Sequence, residues 1–152
     1  MLSTPTLTEV IAALRGPRFR VRTALWLLPP DAVGREPDAA ARLGLDAADA
    51  RRPILDALDP DSRFLGLDPE RIVEALDAIA SGPGRTDCAL VYNLDLLVAR
   101  LPYQARDALW DTLYRGFPHR RALLLTVPRT AEALLPPDSA LDQWRRDGRL
   151  AE

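Results

Sequence analysis

Two mid-chain residues that could take part in chemistry, Asn93 and Asp95, follow the most apolar run in the middle of the sequence. Residues 89–92 read Ala-Leu-Val-Tyr, come after a Gly-Pro-Gly turn at 82–84, and precede Asn93 and Asp95. A short continuous apolar run predicts a strand buried on both faces of a parallel sheet. A carboxylate just beyond such a strand can serve a metal ion or polarise water, which makes Asp95 a candidate for that role. The alternative is a helix-capping or solvated carboxylate at the carboxyl edge of the sheet.

A second candidate site is the window at 29–36, after the first predicted strand, where many nucleotide-binding domains carry a phosphate loop. The phosphate-loop pattern is a glycine, four residues, and then Gly-Lys-Ser/Thr, which hold phosphates and magnesium. Gly34 matches this pattern. Pro29 replaces the first glycine, Arg35 the lysine and Glu36 the hydroxyl residue. The window therefore predicts a loop that keeps the position of the motif and little of its chemistry, or else an ordinary loop.

The basic side chains are all of one type, since the chain has 20 arginines and no lysine. A GC-rich genome produces this bias, and the 14 prolines agree with it. The consequence is chemical: a Schiff-base lysine and a phosphate-loop lysine are both excluded within this chain. His119 is the only histidine, which excludes a histidine pair as a metal or proton-relay site.

Composition predicts one ordinary globular domain, 1–152, with a hydrophobic fraction of 47%. The net charge of −2 gives no general electrostatic reason to bind nucleic acid or an anionic membrane. No apolar run approaches the roughly 20 residues that span a bilayer. Cys88 is the only cysteine and cannot form an internal disulfide, so we expect a cytoplasmic protein in which Cys88 packs as a small hydrophobe.

Two arginine-rich segments stand out against this weak net charge. They contain Arg18, Arg20 and Arg22 before the first predicted strand, and Arg145, Arg146 and Arg149 near the end of the sequence. Guanidinium groups in such clusters can bind phosphates or an acidic partner surface. A solvated face is the alternative interpretation.

Short apolar runs alternate with amphipathic helices, which predicts an α/β fold: a three-layer domain with a mainly parallel sheet of about four strands. The predicted strands are 23–28, 88–92 and 122–127, with a weaker one at 63–67. The predicted helices include a leading helix at 6–15 with a capping box at Thr6, and a last helix at 138–147. The segment 45–61 is predicted as two short helical pieces, the second over 53–58.

Three aromatic residues predict a protein interface. Trp110 and Tyr114 lie four residues apart beside the core stripe of a predicted helix, and Trp144 lies in the last helix. A helix that is apolar over nearly half its circumference often has two faces to bury, one against the sheet and one against a partner. We therefore expect Trp110 or Trp144 to be partly exposed in the isolated domain. The alternative is that these aromatics close the edge of the core.

Three segments together resemble the small P-loop proteins of BREX-type phage-defence systems, which are AAA+-like. They are residues 24–30 (ALWLLPP), 89–97 (ALVYNLDLL) and 122–128 (ALLLTVP), and the resemblance spans roughly 22–128. It places Tyr92 where the family has aspartate, Asp95 where it has glutamate, and Thr126 where related ATPases sense the γ-phosphate. It implies a bacterial defence protein of ATPase descent, with a vestigial nucleotide site at Gly34, Arg35, Asp95 and Thr126.

The function expected from these features is a non-hydrolysing P-loop-like scaffold or adaptor subunit of a multi-protein assembly. Its expected partners are other protein subunits or a second copy of the chain, with no cofactor and no direct nucleic-acid ligand. One alternative is a divergent ATPase that binds Mg-ATP through Arg35 and Asp95. A nucleic-acid-binding accessory module, supported by the arginine clusters, is the other.

Overall fold

The computed structural model describes residues 5–58, 66–117 and 121–152, and within them one sheet is present. Its strands are β1 (Thr23–Leu28), β2 (Asp46–Asp49), β3 (Cys88–Tyr92), β4 (Ala122–Pro128) and β5 (Leu150–Ala151). They are parallel throughout and lie in the order β2-β3-β4-β1-β5. The predicted α/β fold with a parallel sheet is confirmed.

Seven α-helices accompany the strands in the described residues. They are α1 (Leu7–Arg15), α2 (Glu36–Leu43), α3 (Arg52–Asp56), α4 (Pro69–Ser81), α5 (Leu94–Val98), α6 (Tyr103–Arg115) and α7 (Asp138–Arg146). Local signals explain where several of them begin and end. The predicted capping box is present at Thr6, whose hydroxyl accepts from the Glu9 N–H at 3.2 Å. Gly44 ends α2 in the left-handed conformation, at φ +70°.

The helices form a layer on each face of the sheet. Alternate residues of β1 point to opposite faces: Trp26 packs with α1 and α2, whereas Leu25 and Leu27 pack with α3 to α7. The connection from β1 to β2 runs one way along the sheet, and every later connection runs the other way. Right-handed crossovers therefore place α2 on one face and the later helices on the other, which gives the three predicted layers.

The sheet has five strands instead of about four, because two short strands carry almost no sequence signal. β2 lies in a segment predicted to be helical, and its Asp-Ala-Ala-Asp sequence has a low strand propensity. Pairing with β3 makes it a strand, and the Asp46 carboxylate fixes its start by accepting from the Thr86 N–H at 3.0 Å and pairing with Arg121. β5 is only two residues long and exists through its pairing with β1.

The weaker strand predicted at 63–67 lies mostly outside the described residues. Of that stretch, Gly66 and Leu67 are described, and they are not in a strand. His119 also lies outside the described residues. In the part of the chain that the structure describes, no helix is both long enough and apolar enough to cross a membrane.

The expected exposure of a tryptophan is wrong, because α7 covers the second apolar face of α6. Trp110 and Trp144 are 1% and 0% exposed, and Tyr114 is partly buried. The Trp110 indole donates to the Leu134 carbonyl oxygen at 3.1 Å, and the Tyr114 ring meets the Trp144 ring edge-on at 5.1 Å. The surface predicted to be an interface at these aromatics is thus an internal contact of α6 with α7 and with the turn at Glu132–Leu134.

Candidate functional site

The topology places a switch point at the carboxyl edge of the sheet, between β1 and β4. These strands are neighbours, with Leu28 paired to Pro128, but the chain leaves them toward opposite faces. In open α/β sheets such a switch point is where ligands usually bind. The loop that leaves β1 at this switch point is the 29–36 window singled out from the sequence.

That loop is closed by its own hydrogen bonds. It contains a 3-10 turn (Pro30–Ala32), with the Ala32 N–H donating to the Pro29 oxygen at 2.9 Å. The Gly34 N–H, at φ +84°, donates to Glu36 Oε1 at 3.1 Å, and the Glu36 side chain is only 7% exposed. The Glu36 carboxylate therefore accepts the hydrogen bond of the Gly34 amide, which in a phosphate loop would be donated to a phosphate. Arg35 is exposed and makes no side-chain hydrogen bond or ion pair in the described residues.

The ends of β2 and β3 place a polar network next to this loop. Asn93 adopts the left-handed conformation, at φ 63°, and its side-chain amide donates to Asp49 Oδ2 at 3.1 Å. Arg51 closes the network with an ion pair to Asp49 at 2.9 Å. Asp49 and Arg51 were missed from the sequence because their segment was predicted to be helical. Asp49 is the last residue of β2 and pairs with Tyr92, so its carboxylate comes within reach of the Asn93 amide only once β2 pairs with β3.

Carboxylates and arginines together set the electrostatics at the ends of β2 and β3, where Arg51 and Arg52 partly offset the effect of Asp49 and Glu36 on Tyr92. Burial opposes ionisation of Asp49, but hydrogen bonds from Arg51 and Asn93 outweigh it and hold the Asp49 pKa below its ordinary value. Burial raises the pKa of the Tyr92 phenol, and Asp49 and Glu36 raise it further. Burial also raises the pKa of Asp95, with Glu36 adding to the effect. An anionic ligand placed directly beside Glu36 and Asp95 would be repelled by these two carboxylates.

The structure does not gather all four residues of the predicted nucleotide site. Gly34 and Arg35 lie on the exposed loop, and Asp95 lies in the first turn of α5, where Asn93 is the helix cap. The Thr126 side chain is 1% exposed, and its hydroxyl donates to the Val91 oxygen at 2.7 Å inside the sheet. The Thr126 hydroxyl is thus used in joining β4 to β3.

Metal and thiol chemistry find little support in the described part of the chain. It holds no group of three or more histidine, cysteine, aspartate or glutamate side chains that could bind a metal ion. Cys88 is fully buried, and burial raises the pKa of its thiol to about 12, so it packs as the small hydrophobe that was expected. Comparisons with protein-family models, with curated proteins and with solved structures gave no match.

The position of Asp95 predicts a pH-dependent cost to stability. Because its pKa is raised on folding, the ionised carboxylate disfavours the folded state above the folded pKa, and the cost vanishes below the unfolded value of 3.8. We expect Asp95→Asn to raise the melting temperature at pH 7 and to lose that advantage at about pH 3. Melting curves across this range are the measurement, with the exposed Asp77→Asn as the control. A gain that persists unchanged at the acid end would contradict the electrostatic explanation.

Proposed function

We propose that this protein is a non-hydrolysing adaptor subunit that binds a protein partner through the carboxyl edge of its sheet. The observation that carries this proposal is where the chain exposes large apolar side chains. In the described residues these are Val33 (45%), Leu55 (52%), Leu58 (36%), Leu96 (45%) and Tyr103 (74%). Clustered exposed apolar side chains mark interaction sites more often than single ones do.

All five lie in segments that leave the carboxyl ends of the strands. Val33 follows β1, Leu55 and Leu58 follow β2, and Leu96 follows β3. Tyr103 opens α6, whose other end reaches the start of β1, because the Leu113 oxygen accepts from the Thr23 hydroxyl at 2.6 Å. The amino end of α6 is therefore at the carboxyl edge of the sheet. We call these five residues the carboxyl-edge patch.

A cavity of about 290 Å³ lies within the carboxyl-edge patch, between α3 and α5. Its apolar lining includes Leu55 and Leu96, and its other lining residues include Arg51 and Arg100. An apolar partner side chain flanked by carboxylates fits this combination of chemistry. Leu96 falls outside the buried helical stripe of Leu94, Leu97 and Val98, which is the sequence signal that could have revealed it.

Absence of ATP turnover is supported by the loop after β1. Its Gly34 amide is taken by Glu36, the chain contains no lysine, and Tyr92 replaces the strand-end aspartate. Without a lysine in the loop or an aspartate at the end of β3, little remains to hold Mg-ATP in a reactive geometry. The resemblance to BREX-type P-loop proteins adds to the proposal that the assembly is a bacterial anti-phage system, in which the partners are the products of neighbouring genes.

Leu55→Asp and Leu96→Asp are the variants that test the adaptor role. Each should weaken association with a co-expressed neighbouring gene product by about 2 kcal/mol or more, roughly 30-fold in Kd, with the melting temperature nearly unchanged. Ala41→Asp, at an exposed position of α2 on the other face, is the matched control and should bind normally. Partners that bind both leucine variants as tightly as the wild type would contradict this role of the edge.

Calorimetry with Mg-ATP separates the adaptor from a divergent ATPase. We expect no isotherm in the micromolar range and no phosphate release, because the loop amide and the surrounding carboxylates disfavour a triphosphate. The ATPase alternative instead requires stoichiometric binding that is lost in Arg35→Ala or Asp95→Ala. That result would overturn the non-hydrolysing half of the proposal and leave the test of the carboxyl-edge patch unaffected.

A further inference from the structure

A second pocket lies at the opposite, amino edge of the sheet, where the two arginine-rich segments meet. β1 and β5 are parallel neighbours, and the Leu25 N–H donates to the Arg149 oxygen at 2.8 Å. The chain segments before both strands are therefore side by side, although about 125 residues separate them in sequence. An open cavity of about 410 Å³ lies between them, and we call it the amino-edge pocket. Its lining residues are Arg18, Phe19, Arg20, Val21, Arg146, Asp147 and Arg149.

Four of the six clustered arginines line this pocket, and the other two are engaged elsewhere. Arg22 donates to the Leu14 and Arg15 carbonyl oxygens at the end of α1. Arg145 forms ion pairs with Asp142 and Glu152 at 2.7 and 2.8 Å. Arg22 and Arg145 thus have partners outside this pocket, whereas the other four arginines line one cavity.

Positive charge in the amino-edge pocket is largely uncompensated. Arg18, Arg20 and Arg146 are exposed, and in the described ranges none of them forms an ion pair. The single carboxylate in the lining, Asp147, accepts a hydrogen bond from the Tyr114 hydroxyl. This local excess contrasts with a chain whose net charge is −2. A concave surface lined by one sign of charge concentrates ligands of the opposite sign.

Arg149 gives the pocket a rigid inner wall. It is 6% exposed, donates to the Thr23 oxygen and hydroxyl at 2.7 and 2.6 Å, and donates to the Tyr114 oxygen at 3.1 Å. Its guanidinium carbon lies 4.5 and 4.6 Å from the Tyr114 and Trp144 ring centroids. Burial lowers the pKa of Arg149 to about 10, which still leaves it protonated at neutral pH. Of its five N–H groups, three are used in these bonds.

We propose that the amino-edge pocket binds a single phosphate group, as a free dianion or as a phosphomonoester. Guanidinium groups present paired N–H donors that match phosphate oxygens, and several of them converge here around one cavity. A nucleic acid is disfavoured because it requires a basic track along several phosphates, whereas this charge is confined to one pocket of a weakly acidic protein. This inference is independent of the adaptor role proposed for the opposite edge.

Isothermal calorimetry at constant ionic strength tests the proposal with inorganic phosphate and with O-phosphoserine. We expect one site per chain and a melting temperature that rises with phosphate concentration. Arg20→Gln and Arg146→Gln should each weaken binding about tenfold, because each removes a charged hydrogen-bond donor. Arg42→Gln changes an exposed arginine of α2 outside the pocket and should leave binding unchanged. Tighter binding of O-phosphoserine would assign the site to an ester, and tighter binding of inorganic phosphate to the free ion.

Three results would overturn the proposal. One is the absence of heat and of thermal stabilisation with either probe at millimolar concentration. Another is phosphate binding that is as tight in the Arg20→Gln, Arg146→Gln double variant as in the wild type, provided both melt at similar temperatures. The third is binding of a single-stranded oligonucleotide that depends on these two arginines, with no one-to-one isotherm for phosphate, which would make the surface a nucleic-acid site.

Discussion

Replacing Trp110 by alanine is expected to lower the free energy of unfolding by about 3–5 kcal/mol, the usual cost of removing a buried large aromatic side chain. Trp110 is 1% exposed in the layer beneath α7, and its indole N–H bonds to the Leu134 oxygen at 3.1 Å. The substitution would leave a cavity and also remove the indole hydrogen bond to that carbonyl group. Since domains of this size are stable by about 5–15 kcal/mol, the variant should be marginally folded. Urea unfolding followed by circular dichroism measures the change.

Tyr103→Ala is the matched control within the same helix. Tyr103 is 74% exposed at the start of α6, so its removal should change stability by no more than about 0.5 kcal/mol. A loss of partner binding by Trp110→Ala with unchanged stability would contradict the internal role assigned to this tryptophan. It would restore Trp110 as an interface residue.

Arg149→Met is expected to destabilise the fold by about 3 kcal/mol, although methionine fills a similar volume. The arginine connects β1 to α6 through Thr23 and Tyr114, and hydrogen bonds to a charged group contribute about 1.5–3 kcal/mol each. Removing a buried charge recovers part of its desolvation cost, so the net effect is smaller than the sum of the bonds. Equilibrium unfolding in urea at pH 7 is the measurement.

Two further variants sharpen this prediction. Arg149→Lys keeps the charge but loses the planar fork that reaches both Thr23 and Tyr114, so it should remain clearly destabilised. Arg146→Met removes an exposed neighbour and should be close to wild type. A wild-type stability for Arg149→Met would show that the buried guanidinium makes no net contribution to the fold.

Elements with strong local patterns were predictable from the sequence. The buried strands at β1, β3 and β4 are continuous apolar runs, and their predicted bounds of 23–28, 88–92 and 122–127 agree with the structure to within one residue. The capping box at Thr6 likewise identified the leading helix. These signals depend on residues within about one element of each other, so they can be recognised in the sequence before the fold is known.

Features that depend on distant parts of the chain were decided by the packed structure. β2 and β5 are strands because they pair in parallel with β3 and β1, although the local strand propensity of their own residues is weak. The two tryptophans became core residues because α7 packs over α6, which the periodicity of α6 alone could not show. In the loop after β1, the Gly34 amide donates to the Glu36 carboxylate. The strand order brings the two arginine-rich segments together around the amino-edge pocket. The chain's local patterns thus determine which segments form strands and helices, whereas nonlocal pairing determines which side chains meet, because contacts between distant segments exist only after the chain has folded.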